Sequence, residues 1–92
     1  MNIQQEESET KGEFFIEEGG KRLAFMTYSK AGPSRIIIDH TDVSEALKGK
    51  NAGKQLVAAA VDYARKNKIK IVPLCPFARS VFDRVKEYAD VL

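Results

Sequence analysis

The apolar positions of the chain open in two short runs, Phe14 to Ile16 and Leu23 to Tyr28, on either side of Gly19 and Gly20. A Gly-Gly pair supplies the positive φ angles of a tight turn, so EFFIEEGGKRLAFMTYSK predicts an antiparallel hairpin. AGPS at residues 31–34 is a second turn signal, and the β-branched run RIIID after it predicts a third strand. From Gly53 the period changes. Leu56, Val57, Ala60, Val61 and Ala64 recur at spacings of three and four, which is one face of a helix. That helix is expected to stop near Asn67, because KNKIKIVPLCP returns to alternation through Ile69, Ile71 and Val72 before Pro73 and Pro76. This is a fourth strand. Residues 77–87, with Phe77, Val81, Phe82 and Val85 apolar, predict a second helix, and YADVL a short extended tail.

Residues 1–11 are polar, Glu-rich and without periodicity, and read as a frayed or disordered lead-in to one domain at 12–92. The predicted class is α/β (α+β): a mixed sheet in which three antiparallel strands are followed by α-β-α with a parallel crossover from residue 35 to residue 75. A crossover of that length makes its strands parallel and right-handed in connection. The loop where the third strand gives way to the first helix is the place where such folds bind ligands.

Composition narrows the picture. With 92 residues, 43% hydrophobic and 30% charged, the chain has one core and the profile of an ordinary folded protein. The net charge of +2 is too small to mark a nucleic-acid binder, but the charge is uneven. Residues 1–18 carry six Glu against Lys11, whereas Lys48, Lys50 and Lys54 cluster at the loop. One cysteine, Cys75, excludes an internal disulfide and a Cys-rich zinc site and suits a reducing compartment. The apolar runs are shorter than a membrane span, and MNIQQEESET has neither the basic nor the apolar region of a signal peptide, so a cytoplasmic location is expected.

The loop LKGKNAGKQL carries the chemistry. A helix N-terminus presents unpaired N–H groups and partial positive charge, glycine lets a phosphate come close, and Asn enters the left-handed region at little cost. Gly49 and Gly53 enclose three residues and Lys54 is followed by Gln55, which excludes a Walker A loop. A G-x-G-x-x-G fingerprint is likewise missing.

The stretch Val43 to Gly53 resembles motif A of the GNAT acetyltransferases, [Q/R]-x-x-G-x-[G/A] between a strand and a helix, with Lys48 in the Q/R place, Asn51 for the first Gly and Gly53 as the last. Cys75 to Arg84 is similar to their N-x-x-A-x-x-L-Y-E-K pattern, with Cys75 for Asn and Phe82 for Tyr. The likeness spans residues 13–92 and is nearest to the short single-domain members. It implies an acetyl-CoA-binding N-acetyltransferase lacking the first helices and last strands that build a substrate pocket in larger relatives. It implies that Lys48, Gly49, Lys50, Asn51, Ala52, Gly53 and Lys54 hold the diphosphate of coenzyme A. By the same resemblance Thr41, Asp42 and Val43 pair with the pantetheine arm, and Phe77 and Ala78 join the cofactor site. The Tyr that often protonates the departing thiolate in that family is here Phe82, which has no proton to give.

Two residues are candidates for catalysis. Cys75 precedes a predicted helix, which lowers a thiol's pKa, and either acts as nucleophile or is a small buried hydrophobe. His40, the only histidine, has the ionisation range of a general base, although a lone His beside two Asp is more often a surface residue or one that supports a site from behind. Asp39 and Asp42 with one His make a poor ligand set, so no metal is expected. The alternatives that stay open are a coenzyme A or acyl-CoA module without turnover, a protein-interaction module, and a weaker one, a nucleic-acid binder built on Lys48, Lys50, Lys54, Lys66, Lys68 and Lys70. The expected partners are acetyl-CoA and an unknown amine or protein acceptor, with no membrane and no nucleic acid; the oligomeric state is open.

Overall fold

The computed structural model describes residues 2–92. In chain order it contains β1 (Gln4–Glu7), β2 (Lys11–Glu18), β3 (Lys21–Lys30), β4 (Arg35–Val43), a 3-10 turn (Glu45–Leu47), α1 (Ala52–Asn67), β5 (Lys70–Pro73), α2 (Pro76–Arg84) and a 3-10 segment (Lys86–Val91). The strands form one sheet in the order β1-β2-β3-β4-β5, antiparallel through β4 and parallel between β4 and β5. This is the mixed sheet with a parallel crossover that the periodicities predict. Gly19 and Gly20, with φ of 58° and 79°, make the β2–β3 turn.

The core lies on one face of the sheet. Phe14 and Ile16 of β2, Ala24, Met26 and Tyr28 of β3, and Ile36 and Ile38 of β4 pack there against Leu56, Val57, Ala60, Val61 and Ala64 of α1. Ala78, Val81 and Phe82 of α2 join it, with Leu47, Ala52, Ile71, Cys75 and Val91. The opposite face carries Phe25, Thr27 and Ile37, and Phe15, which is buried beneath the Arg22 guanidinium at 3.8 Å.

Two expectations are corrected. The lead-in is not frayed: Gln4–Glu7 form a fourth antiparallel strand, paired with residues 12–15 of β2, while Met1 lies outside the described residues. All four side chains of β1 are exposed, so no alternation marks it; it is fastened by long-range polar contacts. Glu7 Oε2 accepts hydrogen bonds from Tyr28 at 2.7 Å and Tyr63 at 3.0 Å, and Lys30 Nζ lies 3.0 Å from Oε1. The C-terminal YADVL is not extended but forms most of the second 3-10 segment. Val91 is buried there, and Arg65 of α1 grips Asp90 at 2.8 and 3.0 Å.

The Tyr28 hydroxyl, opposed by the cost of burial and helped by Lys30 and Tyr63, holds the Glu7 carboxyl below its ordinary value. Its contribution to stability is therefore complete above the ordinary carboxylate range and is lost as pH falls through the lowered value. Glu7→Gln is expected to destabilise the protein at pH 7 and to differ little from the parent near pH 3, read by urea unfolding at both pH values; an equal difference at both would sink the linkage.

Candidate functional site

The site begins where β4 and β5 part. Their last partners are Ile38 and Pro73, and the Ile38 carbonyl accepts both Leu74 N–H and Cys75 N–H at 3.1 Å. β4 runs on to Val43 with β3 alone beside it, so beyond Ile38 its outer edge has no strand partner.

A bulge decides what that edge presents. Tyr28 faces Ile38 but Thr27 faces His40, so Asp39 is the extra residue. A bulge of one residue reverses the in-and-out alternation of the strand beyond it. Ile38 points into the core, Asp39 and His40 both turn to the open face, and Thr41, opposite core residue Met26, points towards the helices. His40 is exposed, its ring 6.0 Å from Phe25. Asp42, opposite Phe25, is exposed on the same side.

Thr41 meets Cys75. The Cys75 thiol donates to Thr41 Oγ1 at 3.3 Å, and the cysteine is only 4% exposed. Cys75 is the N-cap of α2, with Pro76 at the first helical position, where the lack of an N–H costs nothing. Burial pushes the thiol up, but the Thr41 hydroxyl and the N–H groups of Ala78, Phe77 and Thr41 outweigh it, so the thiol sits below its ordinary range. The sheet separates Cys75 from His40, and the two candidates for catalysis do not form a pair.

The loop into α1 forms the other half. Gly49 has φ 81° and Asn51 φ 60° with ψ 26°, the left-handed conformation expected of that asparagine. Asn51 caps α1 without a side-chain hydrogen bond, and no acidic residue occupies the first turn, so the leading N–H groups and the positive end of the helix face outward. Val43, Lys48, Gly49, Asn51, Ala52, Gly53, Lys54 and Phe77 line a cleft of about 230 Å³ together with Leu47. Its walls are apolar and its rim is cationic. Lys48 is held by Glu45 at 2.8 Å, a contact exposed enough to exchange cheaply for an anion. Lys50 is not in the lining; its N–H donates to the Leu47 carbonyl and its carbonyl accepts Gln55 Nε2.

Leu47 was not legible as a site residue. It is the one large apolar side chain between Val43 and Leu56, which is the signal that could have marked it, and the structure buries it to 4% exposure. Phe82 is buried against Tyr88, with ring centroids 5.9 Å apart. Tyr88 follows the C-terminal end of α2 whereas Cys75 caps its N-terminal end, so about 14 Å of helix stands between them. A larger cavity, of about 720 Å³, lies beside β1 and is bordered by Glu6, Glu7, Glu13 and Asp39. Arg22, Lys30 and Ser29 already engage those carboxylates.

Comparison with known proteins bears on the fold and the family. The model of the GCN5-related N-acetyl-transferase family matches residues 13–91. A GCN5-like protein from Staphylococcus aureus, solved by NMR, is 37% identical with a TM-score of 0.74, the match covering 98% of this chain and 87% of that one. A ribosomal-protein-alanine N-acetyltransferase from Brucella melitensis biovar Abortus 2308 shares the fold at 18% identity and a TM-score of 0.70, over 85% of this chain and 62% of that one. An aminoglycoside N-acetyltransferase in complex with CoA does so at 12% and 0.64, over 90% and 88%. No curated protein matches the chain. The chain belongs to the GCN5-related N-acetyltransferase family. Its activity class is acetyl-CoA-dependent acetyl transfer to an amine, and membership leaves the acceptor undefined. Among the described residues no helix is long and apolar enough to cross a membrane.

Proposed function

We propose that the cleft between the 48–54 loop and Phe77 binds the diphosphate end of acetyl-CoA. The free edge of β4 at Thr41 to Val43 guides the pantetheine arm to Cys75, in a domain that works in the reducing cytoplasm. The observation that carries this reading is the convergence of two helix N-termini, those of α1 and α2, at the point where β4 and β5 part. The first offers N–H groups and Lys48 and Lys54 to phosphate; the second offers N–H groups of Phe77 and Ala78 to a sulfur or oxygen that gains negative charge.

Transfer runs in two steps. The Cys75 sulfur bonds to the acetyl carbon as the carbon–sulfur bond of the thioester breaks, and the proton of the Cys75 thiol leaves with coenzyme A. An amine then attacks the S-acetyl group, its nitrogen takes the acetyl, and the Cys75 thiol regains a proton. This route needs no phenol in the place of Phe82. The proton the amine loses returns to the Cys75 sulfur, because His40 stands on the other face of the sheet, out of reach of the S-acetyl group. A second reading, a module that holds acyl-CoA without turnover, is favoured by the 4% exposure of Cys75.

Protein-detected NMR titration with acetyl-CoA is expected to shift residues 41–54 and 75–79 first. Calorimetry should show binding that weakens as salt rises from low to about 0.5 M, because phosphate contacts are screened. No heat and no shifts at about millimolar ligand would overturn the reading.

A further inference from the structure

Gly53 closes the loop pattern, where a glycine ordinarily keeps a Cβ out of the path of a phosphate. In this chain the space above it is taken. A Cβ built on Gly53 would lie 2.6 Å from Phe77 Cζ and 2.7 Å from Cε2, both far inside the contact distance of two carbon atoms. The backbone of Gly53 is ordinary helix, so conformation does not demand glycine there. Gly49 is the opposite case, with φ 81° and nothing near a Cβ. The two glycines of the loop therefore serve different ends: Gly49 makes the turn, and Gly53 seats a ring.

The seated ring is well placed. Phe77 lies in the first turn of α2, two residues after Cys75, while Gly53 lies in the first turn of α1. The ring thus spans the two helix N-termini, and the 36% of Phe77 left exposed helps wall the cleft with Val43 and Leu47. Large exposed apolar side chains are few: Leu74, Phe77 and Leu92 among the described residues.

We infer that Phe77, seated on Gly53, is a positioning residue for the neutral arm of the ligand. It is the wall against which pantetheine lies between the phosphates at α1 and the thioester at Cys75. Gly53 is needed to seat that ring rather than to admit phosphate. The inference rests on the coenzyme A reading and adds to it the reason for the glycine. Because the outer edge of Phe77 is exposed, a methyl group at residue 53 tilts the ring into the cleft and narrows it without breaking the core.

The test is a double-mutant cycle on the full chain, with coenzyme A as the probe. Gly53→Ala is expected to weaken binding about tenfold in calorimetry, and Phe77→Leu severalfold. If the ring is what the methyl group displaces, Gly53→Ala in the Phe77→Leu background costs little, so the double variant binds like Phe77→Leu alone. If the two losses simply multiply, the glycine serves the phosphate and the inference is overturned. Thermal unfolding of each variant separates a lost fold from a lost cleft. Phe77→Trp gives a second measurement, because the chain has no tryptophan. Its indole emission should change in step with calorimetric saturation, and a silent indole in a variant that binds coenzyme A would also overturn the wall. Failure of the parent protein to bind coenzyme A removes the reading beneath, and the inference falls with it.

Discussion

Gly12→Ala is expected to lower the stability of this domain by about 2–3 kcal/mol, the cost of forcing an extra carbon into a filled site. For a domain of this size that is a fall in the thermal midpoint of roughly 10–20 °C. A Cβ on Gly12 would lie 2.1 Å from Tyr28 Cζ and 2.2 Å from its hydroxyl. Gly12 faces Tyr28 directly across the β2–β3 ladder, and the ring lies over the glycine's bare backbone. Such a clash is cheap when the crowded atom can swing away, and Tyr28 cannot. It is 1% exposed, packs on Phe14 at a centroid distance of 5.4 Å, and its hydroxyl accepts from Gln5 Nε2 at 2.8 Å and donates to Glu7 at 2.7 Å. Burial, reinforced by the Glu7 carboxylate, raises the phenol well above its ordinary range, so it remains a neutral donor. Differential scanning calorimetry checks the result, and a shift below about 3 °C would show that the ring moves freely.

Cys75→Ala is expected to abolish labelling altogether. Incubation with acetyl-CoA should add one acetyl group to the parent protein, readable by intact-mass spectrometry, and none to the variant. The physical ground lies around one sulfur: the thiol donates to Thr41 Oγ1, and once its proton has left, that hydroxyl can turn to donate back and joins the N–H groups of Thr41, Phe77 and Ala78 in favouring the thiolate. The variant should still bind coenzyme A, since the cleft lined by the loop and Phe77 does not include residue 75. Proven binding with no adduct on the parent would favour the module without turnover. An adduct that survives Cys75→Ala would place the acetyl group elsewhere.

Much of this molecule is legible from spacing. The three-and-four rhythm from Leu56 to Ala64 marks a helix because one face must leave water, and the structure buries each of those residues. The Gly-Gly turn and the crossover come from equally local rules. β1 does not, because Gln4, Gln5, Glu6 and Glu7 bury no apolar side chain and are fixed by partners as far away as Tyr28 and Tyr63. The final residues fail for a similar reason: Val91 finds the core and Asp90 finds Arg65 only once α1 is in place.

The sequence by itself determined the order of elements from β2 to α2, the family, and a loop whose Gly49 and Asn51 can take left-handed backbone ahead of a helix. Those properties are short-range, set by residue type and by neighbours a few positions away. Only the tertiary structure decided how the candidates group. One extra residue in β4, Asp39, turns His40 to the open face and Thr41 towards Cys75, and no local pattern announces a slip that is defined against another strand. The meaning of Gly53 is likewise set by Phe77, a residue 24 positions later that the fold brings into contact with it.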